Sequence, residues 1–371
     1  MNLNKLENNL LELINKNEEG TFPLTEKIAN NDKFVEVTFI YKPEAEVENI
    51  LLVLPIGGKK LSKNLMINID GTNIWYKKYI ARNDIKFLYY FSVNDSLDVR
   101  KPRNLNELSL DTLNPNFLIF NGETKLSYLT MPNCKENPLD KMDKTPIGQL
   151  INEEIYSCYL NKNITITTYL PPLFDENTEY GLALFTDGDE HIELLSANII
   201  LDNLISQDKI KPMIGLFVDS NMERSIELRC DKNFESFVIK ELIPFIKEKY
   251  KISENPKDNL ISGFSLGGLT AGYLSLKHPD IFSNILSQSG SYFFEMTKIK
   301  KLILDCKKKP NIYLNFGALE NKEKVINSNK KIYAILRKNK FKVTCQEFKS
   351  GHDYLSWGEY LTHGLLKLLS K

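Results

Sequence analysis

One short segment restricts this chain more than anything else in it. Asn259-Leu260-Ile261-Ser262 is an apolar run of strand character, Gly263-Phe264-Ser265-Leu266-Gly267-Gly268 follows at once, and Leu269-Thr270-Ala271-Gly272-Tyr273 opens a helix of small residues. A G-x-S-x-G turn between strand and helix holds its serine in a tight, strained conformation. Glycines at 263 and 267 let the flanking backbone approach more closely than a Cβ permits. The turn lifts the Ser265 hydroxyl off the strand end and sets it beside a helix N-terminus, whose free N–H groups favour negative charge.

Such a turn needs a sheet of parallel strands, and the rest of the C-terminal half supplies the pattern for one. Extended and helical runs alternate: Ile164 to Leu170, Tyr180 to Thr186, Ala197 to Ile205, Ile214 to Val218, Phe234 to Tyr250, then the serine segment itself. Alternation of this kind predicts βαβ units in a doubly wound sheet, whose strands present side chains to a cleft at their C-terminal ends.

A serine hydroxyl is a weak nucleophile until a base takes its proton. The chain has four histidines. His191 precedes the serine, the wrong order for this arrangement of nucleophile, acid and base. His278, in Lys277-His278-Pro279, reads as a helix cap, and His363 falls inside the helical run from Tyr360 to Leu369. His352 follows the strand-like run Phe341 to Phe348 in the loop Ser350-Gly351-His352-Asp353, which makes it the candidate base. Between serine and base, Asn311 to Phe316 reads as a strand that runs directly into Gly317-Ala318-Leu319-Glu320. Glu320 is the first candidate to orient the imidazole, with Glu323 and Asp353 in reserve. An oxyanion hole calls for two backbone amides, here Leu266 and one near Asp189 in the loop Thr186-Asp187-Gly188-Asp189-Glu190.

The N-terminal part has a different texture. Phe34 to Tyr41, Ile50 to Leu54, Ile74 to Tyr79 and Phe87 to Phe91 are β-branched or aromatic runs between Gly, Asn and Asp punctuation, which predicts a small β-sandwich. Leu6, Leu10, Leu11, Leu13 and Ile14 have helical spacing ahead of it. Leu113 to Gly148 carries Pro115, Pro132, Pro138 and Pro146 without a sustained period and reads as a connecting segment, giving domains at 1–147 and 148–371. With 371 residues, the chain is long enough for two such domains.

Lys+Arg and Asp+Glu balance at 48 each, so nothing pulls the whole molecule toward nucleic acid or an anionic membrane. No apolar run reaches the ~18 residues of a membrane span, and Met1 to Gly20 lacks the pattern of a signal peptide, so the expected compartment is the cytoplasm. The five cysteines are scattered without a C-x-x-C pair and read as free, mostly buried thiols.

On these residues the chain resembles the enterochelin (ferric enterobactin) esterase family, within the esterase D branch of the α/β-hydrolases. In the C-terminal part the resemblance rests on Thr186 to Asp189, Arg224-Ser225-Ile226-Glu227-Leu228, Glu241 to Pro244, the Ser265 turn, and Gly351-His352-Asp353 with Trp357. In the N-terminal part Asp70 to Tyr76, Phe91 to Asp95 and Asp111 to Pro115 look like that family's immunoglobulin-like leading domain. The resemblance implies an α/β-hydrolase domain behind that sandwich. It also implies Ser265, Glu320 and His352 as a triad that hydrolyses a cyclic catecholate triester siderophore and frees its iron. Iron would come with the substrate, and the mechanism needs no metal or organic cofactor of its own. Arg224, with Glu227 beside it, would contact the anionic ligand through its planar charged fork, the alternative being a surface salt bridge with a neighbour such as Glu227.

Two other readings stay open. The same hydrolase branch includes esterases acting on feruloyl or acetyl groups of carbohydrates. A binding protein that keeps the cleft without the reaction is the third, and the intact set of serine, acid and histidine weighs against it.

Overall fold

The computed structural model describes residues 10–12, 22–57, 60–101, 103, 108–120, 124–134, 146–219 and 223–371. The chain forms two compact units, Met1–Glu136 with Lys349–Gly351, and Asn137–Phe348 with His352–Lys371. Of the helical run expected across Leu6 to Ile14, only Leu10 to Glu12 falls among the described residues, and these three are helical.

The first unit is built from antiparallel strands. These are β1 (Leu24–Ile28), β2 (Asn31–Tyr41), β3 (Ile50–Val53), β4 (Ile67–Asn68), β5 (Trp75–Arg82), β6 (Lys86–Leu88), β7 (Tyr90–Val93), β8 (Phe117–Phe120) and β9 (Thr124–Thr130). They pair as β1-β2-β5-β4, β3-β7 and β6-β9-β8. Aromatic side chains fill the interior: the rings of Phe39 and Tyr89 meet edge to face at 4.9 Å, and both are fully buried. The Tyr89 hydroxyl satisfies itself by donating to Asp111 at 2.7 Å, and burial pushes the Asp111 carboxyl up to about 6.

β8 and β9 correct one expectation. They lie inside the stretch read as a connecting segment, yet Leu118 pairs with Leu126, and Leu126, Leu129 and Met131 are buried. Pro115 and Pro132 flank this hairpin without interrupting it, so proline density hid a short alternation of inward and outward residues.

The second unit is one eight-stranded sheet: β10 (Gln149–Ser157), β11 (Lys162–Leu170), β12 (Gly181–Thr186), β13 (Met213–Val218), β14 (Leu260–Phe264), β15 (Asn284–Gln288), β16 (Asn311–Gly317) and β17 (Val343–Phe348). Their order is β10-β11-β13-β12-β14-β15-β16-β17. β10 and β11 join antiparallel, and every pairing from β13 to β17 is parallel. The connecting helices are α1 (Gly188–Glu193), α2 (Ala197–Ser206), α3 (Arg224–Glu227), α4 (Lys232–Phe237), α5 (Ile243–Lys249), α6 (Leu266–Lys277), α7 (Met296–Asp305), α8 (Asn327–Lys338) and α9 (Tyr354–Leu369). Helices on both faces explain why β13, β14 and β15 are buried along their whole length. The expected strands and helices of this half all appear, with ends shifted by a few residues.

Among the described residues no disulfide joins the five cysteines, but Cys230 alone among them is buried and Cys158 is exposed, so the expectation of mostly buried thiols does not hold. Among the described residues no helix is long and apolar enough to cross a membrane.

Candidate active site

β14 delivers Phe264 into the sheet and stops. Ser265 takes φ 55° and ψ −117°, a conformation that L-residues avoid and that typically costs about 1–3 kcal/mol. Both glycines are required by space. A Cβ on Gly263 would lie 2.4 Å from the backbone carbon of Gly267, and one on Gly267 would lie 2.2 Å from the Thr186 hydroxyl. The strained turn is pinned from the side, because the Ser265 N–H donates to the Gln288 carbonyl at 2.9 Å.

β16 and β17 bring the partners. The Ala318 N–H donates to the Phe348 carbonyl at 2.8 Å, tying the loop after β16 to the end of β17. Glu320 follows in that loop with its carboxylate fully enclosed, and Oε1 lies 2.9 Å from Nδ1 of His352. On the other side of the ring, Nε2 of His352 lies 3.0 Å from Oγ of Ser265. Of the three acids considered, Glu320 is therefore the one against the imidazole. Asp353 caps α9, accepting from the Ser356 N–H at 3.3 Å, and Glu323 lies exposed in the helical turn Lys322–Ile326.

The imidazole is also braced by aromatic packing. Trp357, in the first turn of α9, meets the His352 ring edge to face at 4.7 Å and stacks on Phe264 at 4.5 Å, and Phe264 stacks on His191 at 5.0 Å. Such contacts are worth about 0.5–1.5 kcal/mol each. Burial lowers the His191 pKa to about 4, so this ring is a neutral packing element whose Nδ1 faces the Asp187 carbonyl at 3.0 Å. His278 faces Glu235 at 2.8 Å and His363 packs on Tyr360.

The loop after β12 lies against the turn. Asp187, at φ 57°, starts α1, and its Oδ2 would sit 2.9 Å from a Cβ on Gly267. Leu266 is the first residue of α6, where a helix leaves its N–H groups without internal partners, and Asp189 is the second residue of α1. Burial pushes the Glu190 carboxyl up to about 7, with the Asp187 charge adding to it. Burial does the same to Asp219, also to about 7, with the Asp189 carboxyl beside it.

Arg224 pairs with Asp187 and not with Glu227. Its Nε and Nη2 donate to the two Asp187 oxygens at 2.5 and 2.7 Å, a bidentate fork onto a fully buried carboxylate. Burial opposes the Arg224 charge, but the Asp187 carboxylate outweighs it and the pKa is raised. Glu227 is itself buried and holds Lys162, which also binds Glu223 at 2.6 Å. The family resemblance singled out Arg224 but gave no sign of Asp187 as its partner, because the two meet only through the adjacency of β12 and β13.

A cavity of about 760 Å³ lies elsewhere in this unit, lined by Tyr180, Gly181, Lys211, Met213 and Asp258 among others. Gly181 and Met213 open β12 and β13, so this cavity lies toward the N-terminal ends of those strands, away from Ser265. Its size does not make it the reactive site.

A mainly parallel sheet with a serine on the strand-to-helix turn, and an acid and a histidine on later strand ends, defines an α/β-hydrolase. The family described as putative esterase matches residues 157–368, more than half of the chain. The chain belongs to that family and is a hydrolase acting on esters. The iron(III) enterobactin esterase of Escherichia coli strain CFT073 is 24% identical over 374 residues, covering 91% of this chain and 92% of that protein. With the iron(III) enterobactin esterase of strain K12 the identity is 28% over 199 residues, and the chain spans about half of that relative, 50%. Among solved structures, the enterobactin esterase of Shigella flexneri in the presence of enterobactin shares the fold, with a TM-score of 0.79 and 23% identity over 95% of this chain and 96% of that one.

Proposed function

We propose that this chain is a serine esterase that opens the ester bonds of a ferric catecholate trilactone of the enterobactin type, in the cytoplasm, so that the chelator falls apart and its iron is released. The observation that carries the reading is the unbroken run of hydrogen bonds from Glu320 through His352 to Ser265, at 2.9 and 3.0 Å. Likeness over nearly the whole length to proteins named as enterobactin esterases supports the choice of substrate.

In this reading Ser265 Oγ attacks the ester carbonyl carbon while its proton passes to Nε2 of His352. The imidazolium so formed is steadied by the Glu320 carboxylate at Nδ1. The oxygen of the tetrahedral intermediate takes its hydrogen bonds from the amides of Leu266 and Asp189. Collapse expels the serine-derived alcohol of the lactone, which takes the proton from His352, and leaves an acyl group on Ser265. Water then repeats the cycle with His352 as base and returns the free hydroxyl. Arg224, held rigid by Asp187, offers the rest of its guanidinium to the anionic catecholate. Iron enters and leaves with the substrate.

The test is direct. The purified protein is incubated with iron-loaded trilactone, iron-free trilactone and a feruloylated sugar, and the products are weighed by mass spectrometry. The reading expects linear and monomeric acyl-serines from the trilactone. Feruloyl release with no attack on either trilactone would move the chain to carbohydrate esters.

A further inference from the structure

Proton accounting at the nucleophile leaves one contact without a role. The Glu320 carboxylate can only accept, so Nδ1 of His352 carries the ring hydrogen and Nε2 offers a lone pair. The single proton of Ser265 must then point at Nε2. Yet a second hydroxyl, Oγ of Ser291, lies 3.3 Å from the same Ser265 oxygen. Since Ser265 has no proton left to give, Ser291 is the donor.

The surroundings fix Ser291 in that position. β15 pairs with β14 in parallel and stops at Gln288, and Ser289 turns the chain at φ 50°. Gly290 follows, where a Cβ would lie 2.4 Å from the Tyr292 ring, and its carbonyl accepts from Asn329 at 2.8 Å. The next residue is Ser291, 4% exposed, whose N–H donates to the Ser265 carbonyl at 2.8 Å. The segment from 288 to 291 therefore grips Ser265 at its N–H, at its carbonyl and at its hydroxyl. It also reaches the base: Trp357 donates from Nε1 to the Ser289 hydroxyl at 2.9 Å, and Gln288 donates to the Trp357 carbonyl at 2.8 Å.

We propose that Ser291 is a catalytic hydroxyl of this esterase, donating a hydrogen bond to Ser265 Oγ throughout the cycle. The proposal rests on the serine esterase reading above. Oγ of Ser265 gains negative character as its proton leaves for His352, and again when it departs from the acyl group in the second half of the reaction. A hydrogen bond to a charged oxygen is stronger than one to a neutral hydroxyl, so this contact stabilises both transition states more than the resting state. Ser291 keeps its own proton, and no bond to it forms or breaks. The same contact also holds the Ser265 side chain in the rotamer that faces His352.

The experiment compares wild type, Ser291→Ala and Ser291→Thr for their rate of covalent labelling by a fluorophosphonate, and for kcat and KM on a small soluble aryl acetate. The probe reports the nucleophilicity of Ser265 without siderophore recognition. Loss of the hydroxyl should slow labelling and kcat by about 10- to 100-fold with KM within twofold, as expected for one charge-assisted bond, while melting temperature and circular dichroism stay as in wild type. Ser291→Thr, which keeps the donor, should recover most of the rate. Labelling of Ser291→Ala at the wild-type rate, or equal slowing in both variants, overturns the proposal while leaving the triad reading intact. A wild-type protein that takes no label overturns the triad reading and this proposal with it.

Discussion

The two units of the molecule both contain left-handed backbone, and they use it differently. In the N-terminal unit, Asn30, Asn94 and Leu97 have positive φ, and two of these three are Asn, the side chain that tolerates this best. In the C-terminal unit, β12, β14 and β15 are neighbours, and each ends on a left-handed residue that is neither Gly nor Asn: Asp187, Ser265 and Ser289. The first arrangement closes ordinary turns. The second stores strain along one rim of a sheet and places on it the groups that bind Arg224, face His352 and receive Trp357. Left-handed residues also occur elsewhere in this unit, at Leu173, Ser196, Asp208, Cys230 and Lys340, so what distinguishes the rim is that three of them follow adjacent strands.

The contrast can be broken most sharply at the acid. Glu320→Gln keeps the shape but presents an amide to Nδ1, so the ring loses its charged partner and its fixed tautomer. Turnover on an aryl ester should fall by about 10³- to 10⁴-fold with the melting temperature little changed. A tenfold loss or less would remove Glu320 from the reaction. Next comes Gly263→Ala, whose Cβ would lie 2.4 and 2.5 Å from Gly267 backbone atoms. Neither neighbour can yield without moving the serine, so about 1–3 kcal/mol of stability and most of the activity should go together. Urea unfolding and the aryl ester assay on the same sample check this.

His191 tests the rim through pH. Its folded pKa, about 4, is depressed below the ordinary value, so the native state binds fewer protons than the unfolded chain. The stability it contributes is present above the unfolded value and is lost as pH falls toward 4. Glu190 and Asp219 run the opposite way: raised to about 7, they contribute stability at low pH that is lost as pH rises through 7. His191→Phe should lower the slope of stability against pH on the acid limb of a urea-unfolding profile, between pH 4 and 6.5, where Glu190 and Asp219 continue to pull the other way. An unchanged acid limb would mean that the ring already titrates normally. The smallest effect belongs to the other unit: Asn30→Gly should change stability by no more than about 0.5 kcal/mol and turnover not at all.

Much of the rim was legible in the sequence, because strand ends announce themselves. Ser265 stands in its glycine turn, Glu320 four residues past Phe316, and His352 four past Phe348, each where an apolar run stops. Asp187 as the anchor of Arg224, and Ser291 beside the nucleophile, were not legible. Both contacts depend on which strands are neighbours, and no spacing along the chain records that β14 lies next to β15 with β13 outside β12. The hairpin Phe117 to Thr130 escaped for a more local reason, since prolines on either side gave it the texture of a linker.

The central claim is that the hydroxyl at 265, activated by His352, forms the covalent intermediate. Ser265→Ala measured beside wild type on the iron-loaded trilactone tests it most directly, with hydrolysis followed by mass and retention of the intact ligand followed by its own absorbance. The account predicts a loss of about 10⁴-fold or more in kcat, no acylated protein, and ligand binding close to wild type. Hydrolysis within tenfold of wild type by this variant would contradict it.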